Sequence, residues 1–114
     1  MSGISTHILD LTIGKPGAGI AVVLERKTHS AGWQKVGEGI SDNDGRLSGM
    51  LAMGEVFLPG HYRLNFESGP YFLLRGVETF FPQVSISFSV KDAAQNYHVP
   101  LLLSPFGYST YRGS

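Results

Sequence analysis

His7 and His98 lie in segments with the pattern of β-strands, and both could transfer protons. An imidazole titrates close to neutral pH, so it can take a proton from water and later give it to a leaving nitrogen. Side chains alternate between the two faces of a strand. If Ile8 and Val99 point into the core, His7 and His98 share the outer face of one sheet. The pattern therefore predicts acid–base chemistry on that face.

Other kinds of catalytic chemistry have no support in the sequence. The chain has no cysteine, which excludes a thiolate nucleophile, a disulfide and a thiolate zinc site. It lacks the motifs of a nucleophilic serine elbow, a phosphate-binding loop or a helical zinc hydrolase. A metal bound by His7 and His98 would need a third ligand, and no carboxylate is predicted on their face. We therefore expect neither a metal nor a cofactor.

The elements that must position these residues are predicted to be strands. Fifteen glycines and six prolines divide the chain into pieces rich in Val, Ile, Thr, Tyr and Phe. This all-β pattern is typical of an antiparallel sandwich, here of two four-stranded sheets. We predict strands at residues 5–12, 20–28, 34–40, 46–51, 61–67, 83–91, 97–104 and 107–112. One short helix is predicted at 70–77, with Ser68 as its cap, Pro70 at its first position and Gly76 at its end.

Two local features qualify this prediction. Residues 42–45, with the sequence Asp-Asn-Asp-Gly, predict a turn in which Gly45 or Asn43 has a positive φ. The segment does not have the spacing of a calcium-binding loop. Pro100 falls inside the seventh predicted strand, although proline within a strand normally argues for an edge or a bulge.

Length and charge restrict the domain count and the partners. A chain of 114 residues is predicted to form a single domain spanning residues 1–114. Nine basic and nine acidic residues give a formal charge of zero, so no electrostatic field favours nucleic acid or an anionic membrane. The first residues lack the pattern of a signal peptide, and no stretch approaches the ~20 apolar residues of a membrane span. We expect a cytoplasmic protein, or a periplasmic one if a signal peptide has been removed.

Four segments, taken in order, resemble the transthyretin-related 5-hydroxyisourate hydrolases. They are Ser-Thr-His-Ile-Leu-Asp at 5–10 with Gly-Lys-Pro-Gly at 14–17, Asp-Gly-Arg-Leu at 44–47, Tyr-Phe at 71–72 with Phe-Phe-Pro-Gln-Val at 80–84, and the whole of 97–114. The resemblance implies the transthyretin sandwich and a homotetramer, built as a dimer of dimers with active sites between the dimers. It also implies hydrolysis of the lactam ring of 5-hydroxyisourate, a step of urate breakdown toward allantoin.

The same resemblance implies which residues form the site. Four residues match the catalytic positions of the family: His7, Arg46, His98 and Ser114. Five match positions that bind substrate: His7, Arg46, Tyr111, Arg112 and Gly113. In this scheme one of the two histidines activates water, and the sequence does not distinguish which. Asn96 stands where the family commonly has a further histidine.

A second hypothesis is a carrier without catalytic activity that resembles true transthyretin. Such carriers share the fold and the pattern Leu-Ser-Pro-x-x-Tyr-Ser-Thr, which this chain has at 103–110. They lack the paired histidines and the closing Arg-Gly-Ser, and their channel is open to a hydrophobic ligand. Because Tyr111 and the residues after it would fill that channel here, the hydrolase is the favoured prediction.

Overall fold

Two packed β-sheets and one short helix make up the chain in a computed structural model, which describes residues 3–30 and 32–114. Helix α1 (Ser68–Leu74) lies between the sixth and seventh strands. The strands of the described part are β1 (Gly3–Asp10), β2 (Lys15–Pro16), β3 (Ala21–Thr28), β4 (Gly32–Ile40), β5 (Arg46–Leu47), β6 (Gly60–Phe66), β7 (Val84–Val90), β8 (Asn96–Ser104) and β9 (Gly107–Thr110).

The two sheets differ in size. One has four strands, as predicted, in the order β4-β3-β6-β7. The other has five, in the order β2-β1-β8-β9 with β5 also paired to β1. The fifth strand arises because two short strands share one edge of β1: β2 pairs with Leu9 and Asp10, and β5 with Thr6 and His7. Most pairs are antiparallel, but β1 and β8 run parallel. The predicted all-β sandwich is confirmed, with one additional strand and one parallel pair.

Alternating side chains of the sheets fill the core. In β1, Ile4, Thr6, Ile8 and Asp10 are buried, whereas the residues between them are partly exposed. The inward residues of β8 are Tyr97, Val99, Leu101 and Leu103. Facing them are apolar side chains of the second sheet, including Val22, Leu24, Leu64, Phe66, Val84 and Ile86. The predicted inward set of both strands is therefore confirmed, and the opposite faces of β1 and β8 are free to carry a site.

Helix α1 begins earlier than predicted and is capped differently. Its N-cap is Glu67, and Ser68 does not cap it, because the Ser68 hydroxyl donates to the Phe81 carbonyl at 2.9 Å. Its last residue is Leu74, three residues before the predicted end at 77, and Gly76 terminates it as predicted, with a φ of 67°. The Gly76 N–H donates to the Leu73 carbonyl and the Val77 N–H donates to the Phe72 carbonyl, each at 3.0 Å. These two bonds form a Schellman motif, which requires a residue with positive φ.

A buried carboxylate ties α1 to the end of β1. The Tyr71 hydroxyl donates to one oxygen of Asp10 at 2.7 Å, and the Thr12 N–H donates to the other at 2.9 Å. Burial raises the pKa of Tyr71 to about 12, and the bond to Asp10 adds to the effect. Because both oxygens of Asp10 have donors, the carboxylate is satisfied without water. The contact fixes the end of the strand that carries His7.

Pro100 interrupts the pairing of β8 with β9. Between these strands the paired residues run from Ser104 and Gly107 to Leu101 and Thr110, and pairing resumes only at the single bridge of His98 with Gly113. Proline has no N–H to donate, so a regular ladder cannot continue past it. The interruption leaves Tyr111 and Arg112 outside the ladder, between Thr110 and the bridge at Gly113.

Candidate active site

Strand β1 lies between β5 and β8, and this order brings the predicted catalytic residues together. His7 is directly opposite Arg46 of β5 and beside Pro100 of β8. Ser5, two residues earlier on the same face, is beside His98. Directly paired side chains have Cβ atoms roughly 5 Å apart and diagonal ones roughly 7–8 Å apart. Arg46, His7 and His98 therefore form one cluster on the outer face of the five-stranded sheet, as the alternation of the two histidines predicts.

The turn before β5 positions both Arg46 and His7. One carboxylate oxygen of Asp42 accepts hydrogen bonds from the N–H groups of Asp44 and Arg46, each at 2.9 Å. Gly45 has a φ of 75°, as predicted for this turn, and a Cβ there would collide with the Ile8 carbonyl oxygen. The Gly45 carbonyl in turn accepts from the Ile8 N–H at 2.7 Å. The turn is thereby attached to β1 next to His7.

The same turn determines which ring nitrogen of His7 donates a hydrogen bond. Its Nε2 lies 3.0 Å from the Asp44 carbonyl oxygen. A carbonyl oxygen can only accept, so Nε2 carries the hydrogen in this bond. When the ring is neutral, its lone pair is therefore on Nδ1.

His98 has a different partner and a lowered pKa. Its Nδ1 lies 2.9 Å from the Ser5 hydroxyl oxygen, which can either donate or accept. Burial lowers the pKa of His98 below its usual value of 6.5, and the nearby His7 and Arg46 lower it further. Both causes disfavour a second proton on the ring. His98 is therefore neutral near pH 7 and able to accept a proton.

The guanidinium of Arg46 is available to a ligand. Within residues 3–30 and 32–114 it forms no hydrogen bond or ion pair, whereas Arg26 and Arg63 are each paired with a glutamate. An unpaired guanidinium beside two imidazoles can bind an anionic or oxygen-rich group through several N–H donors. This exposure supports the substrate-binding role that the sequence comparison with the hydrolases implies.

The last residues dock onto the start of β8. The Gly113 N–H donates to the His98 carbonyl at 2.8 Å. The Arg112 guanidinium lies 4.6 Å from the centre of the Tyr97 ring and donates to Gln95 Oε1 at 3.2 Å. It also lies 3.4 Å from the Asn96 carbonyl oxygen. These contacts bring Ser114 close to His98, and they use the guanidinium of Arg112 to hold the tail.

A groove of about 760 Å³ opens beside this cluster. Arg46, His98 and Ser114 line it, together with Ser5 and Asn96. Its volume lies within the range of roughly 300–1,000 Å³ found for small-molecule sites. The structure thus brings three of the four predicted catalytic residues to one groove, with the fourth, His7, adjacent on the sheet.

Of the other residues predicted in the tail, Arg112 and Gly113 do not line the groove. Tyr111 is 58% exposed and does not line the groove of the single chain.

Within the described residues, no three His, Cys, Asp or Glu side chains are grouped as metal ligands would be. None of the described helices is long and apolar enough to cross a membrane. The sequence prediction missed Ser5, although its parity with His7 was a signal for the outer face.

Comparisons with known proteins identify relatives of this chain in sequence and in fold. The sequence profile of the HIUase/Transthyretin family matches residues 4–113. The 5-hydroxyisourate hydrolase of Salmonella typhimurium is 45% identical over 111 residues, covering 97% of this chain and 80% of that protein. The structure of Klebsiella pneumoniae 5-hydroxyisourate hydrolase has a TM-score of 0.82 at 33% identity and covers 99% of this chain and 100% of the other. Transthyretin from Sparus aurata has a TM-score of 0.90 at 27% identity, covering 99% and 97%. The Klebsiella hydrolase and the Sparus transthyretin both share the fold of this chain, whereas the two hydrolases are more similar to it in sequence than the transthyretin is.

Proposed function

The chain belongs to the HIUase/Transthyretin family, and on that premise we propose that it is a 5-hydroxyisourate hydrolase with its catalytic groups on the outer face of the five-stranded sheet. The observation that carries the proposal is the register of three strands, which sets Arg46 opposite His7 and His98 one step along the same face. A carrier has no need of two imidazoles and an unpaired guanidinium on one surface.

The reaction adds water to the amide carbonyl of the lactam ring. As the water oxygen bonds to the carbonyl carbon, a neutral imidazole takes the water proton. The carbon–nitrogen bond then breaks, the imidazolium returns its proton to the leaving nitrogen, and the ring-opened product carries a carboxylate. A positioned acid–base group of this kind contributes about 10²–10⁴-fold to the rate.

His98 is the better candidate for the base. Its lowered pKa keeps it neutral at the pH where the substrate is turned over. It also lines the groove with Arg46 and Ser114, whereas His7 is next to the groove. We assign to His7 the binding of a substrate N–H or O–H group, since its hydrogen-bonded tautomer leaves Nδ1 as an acceptor.

Arg46 binds the substrate and the charge that develops on the carbonyl oxygen. Planar N–H donors aimed at such an oxyanion are worth more in a groove than in bulk water. Ser114, carried by the docked tail, lines the groove, and Tyr111, Arg112 and Gly113 precede it in that tail. Direct contacts of these last three residues with substrate remain part of the proposal.

Assembly into a homotetramer belongs to the same proposal. The outer face that carries the site also carries the partly exposed Leu9 and Leu102, next to the buried Pro100. An apolar surface of this kind next to a cleft is typical of an interface. A dimer of dimers with the grooves between dimers would cover this face and narrow each groove around its substrate.

The rival function is a transthyretin-like carrier, which shares the fold. Ultraviolet absorbance of freshly generated 5-hydroxyisourate, followed with and without the protein, separates the two. A hydrolase speeds the decay in proportion to its concentration, whereas a carrier binds without turnover. Decay at the rate of buffer alone would overturn the proposed function.

A further inference from the structure

Ser5 contacts His98 but has no role in the reaction described above. The two residues are register partners on the parallel strands β1 and β8, and Ser5 Oγ lies 2.9 Å from His98 Nδ1. Nδ1 is bonded to Cγ, so it is the ring nitrogen nearer to the backbone. A partner on Nδ1 therefore leaves Nε2, across the ring, for the substrate.

The opposite edge of the same ring is blocked by the tail. A Cβ built on Gly113 would lie 2.5 Å from His98 Cδ2, so the glycine backbone packs directly on that edge. The ring torsion of histidine is broad when nothing restrains it. Here the ring is held between the Ser5 hydroxyl and the Gly113 backbone. A flipped ring would place a carbon against Ser5 and lose the hydrogen bond.

We propose that Ser5 is a positioning residue that sets the tautomer of His98, accepting a hydrogen bond from Nδ1–H so that Nε2 carries the lone pair that removes the proton from water. The proposal rests on the role assigned to His98 above. A carboxylate in the place of Ser5 would also favour the charged ring. A neutral hydroxyl fixes the orientation and leaves the ring uncharged, as a general base requires.

The proposal makes the two histidines opposite tautomers. His98 carries its hydrogen on Nδ1, whereas His7 carries its hydrogen on Nε2 because it donates to the Asp44 carbonyl. Imidazole ¹⁵N chemical shifts distinguish the two forms. In the wild-type protein, at a pH where both rings are neutral, we expect Nδ1–H for His98 and Nε2–H for His7. In Ser5→Ala the ¹⁵N shifts of His98 should move toward those of a mixture of the two tautomers, while those of His7 stay unchanged. A wild-type His98 with its hydrogen on Nε2 would overturn the proposal.

Kinetics give an independent readout. Ser5→Ala should lower kcat about tenfold, the scale of one neutral hydrogen bond, with KM changed less than about twofold. Ser5→Thr retains the hydroxyl, and threonine is well tolerated in a strand, so this variant should keep most of the wild-type kcat. The matched control is Ser87→Ala, an exposed serine of β7 far from the groove, which should behave as wild type. Melting temperatures of all variants identify any loss that is due to folding.

The outcomes separate this proposal from the proposed function. If His98→Asn is inactive and Ser5→Ala keeps the wild-type kcat, Ser5 does not position His98 and the function stands. If His98→Asn is fully active, the role of Ser5 and the assignment of His98 as the base both fail, because Ser5 acts only through His98, whereas the hydrolase function stands.

Discussion

Replacing Gly113 with alanine tests whether the tail orients His98. The new Cβ would lie 2.5 Å from Cδ2, 3.2 Å from Cγ and 3.4 Å from Cβ of His98. Carbon atoms in contact are separated by about 3.5–4.0 Å, so the ring must move by about 1 Å or the tail must undock. A misplacement of about 1 Å at a catalytic group costs about 10²-fold in rate. We therefore expect kcat of Gly113→Ala to fall by about that factor.

The stability of the sandwich should change little, because Gly113 is outside the core and only one bridge holds it to β8. The assay is the initial rate of 5-hydroxyisourate decay beside a thermal melt of each protein. Gly107→Ala is the matched control: Gly107 belongs to β9, and the atom nearest to its added Cβ is the Ser104 hydroxyl oxygen at 3.8 Å. Wild-type kcat for Gly113→Ala would refute the reasoning that the tail fixes the His98 ring.

Three further predictions concern the same face. The kcat/KM should fall on the acid side with a midpoint below 6.5, because the pKa of His98 is lowered, and a flat rate profile from pH 8 to 5 would contradict a histidine base. Because the unfolded chain binds this proton more readily than the native one, the free energy of unfolding should also decrease as the pH falls below about 6.5, and it should decrease less in His98→Asn. Arg46→Lys should lose most of kcat/KM, because an ammonium cannot reproduce a planar fork of donors, and near wild-type kinetics would reduce Arg46 to a point charge. Leu102→Glu should weaken tetramer formation and activity together, as measured by light scattering and turnover, and a change in neither would place Leu102 away from the interface.

Local alternation was sufficient to predict the faces of two strands. In β1 and β8 the inward residues are apolar or hydrogen-bonded, so parity alone assigned His7 and His98 to the outer face. The turn at 42–45 was equally local, because glycine is the residue that tolerates positive φ. Features that depend on neighbours in the chain were therefore accessible from the sequence.

Features that depend on distant pairing were not accessible in this way. The position of Arg46 follows from the pairing of β5 with β1, and only the resemblance to the hydrolases indicated it. The parallel pairing of β1 with β8 joins residues 93 positions apart, which is why Ser5 was missed as the partner of His98. The additional strand β2 has two residues, too few for any periodic pattern. Ser68 was predicted as a cap, but a tertiary contact with Phe81 took its hydroxyl.

The most direct test of the central claim is the turnover of freshly generated 5-hydroxyisourate by the wild-type protein and by His98→Asn, followed by ultraviolet absorbance. Asparagine keeps a polar side chain of similar reach but cannot exchange a proton near neutral pH. We predict that the wild type speeds the decay and that His98→Asn, with an unchanged melting temperature, has a kcat lower by about 10²-fold or more. A wild type no faster than buffer, or a His98→Asn variant as fast as the wild type, would contradict the account.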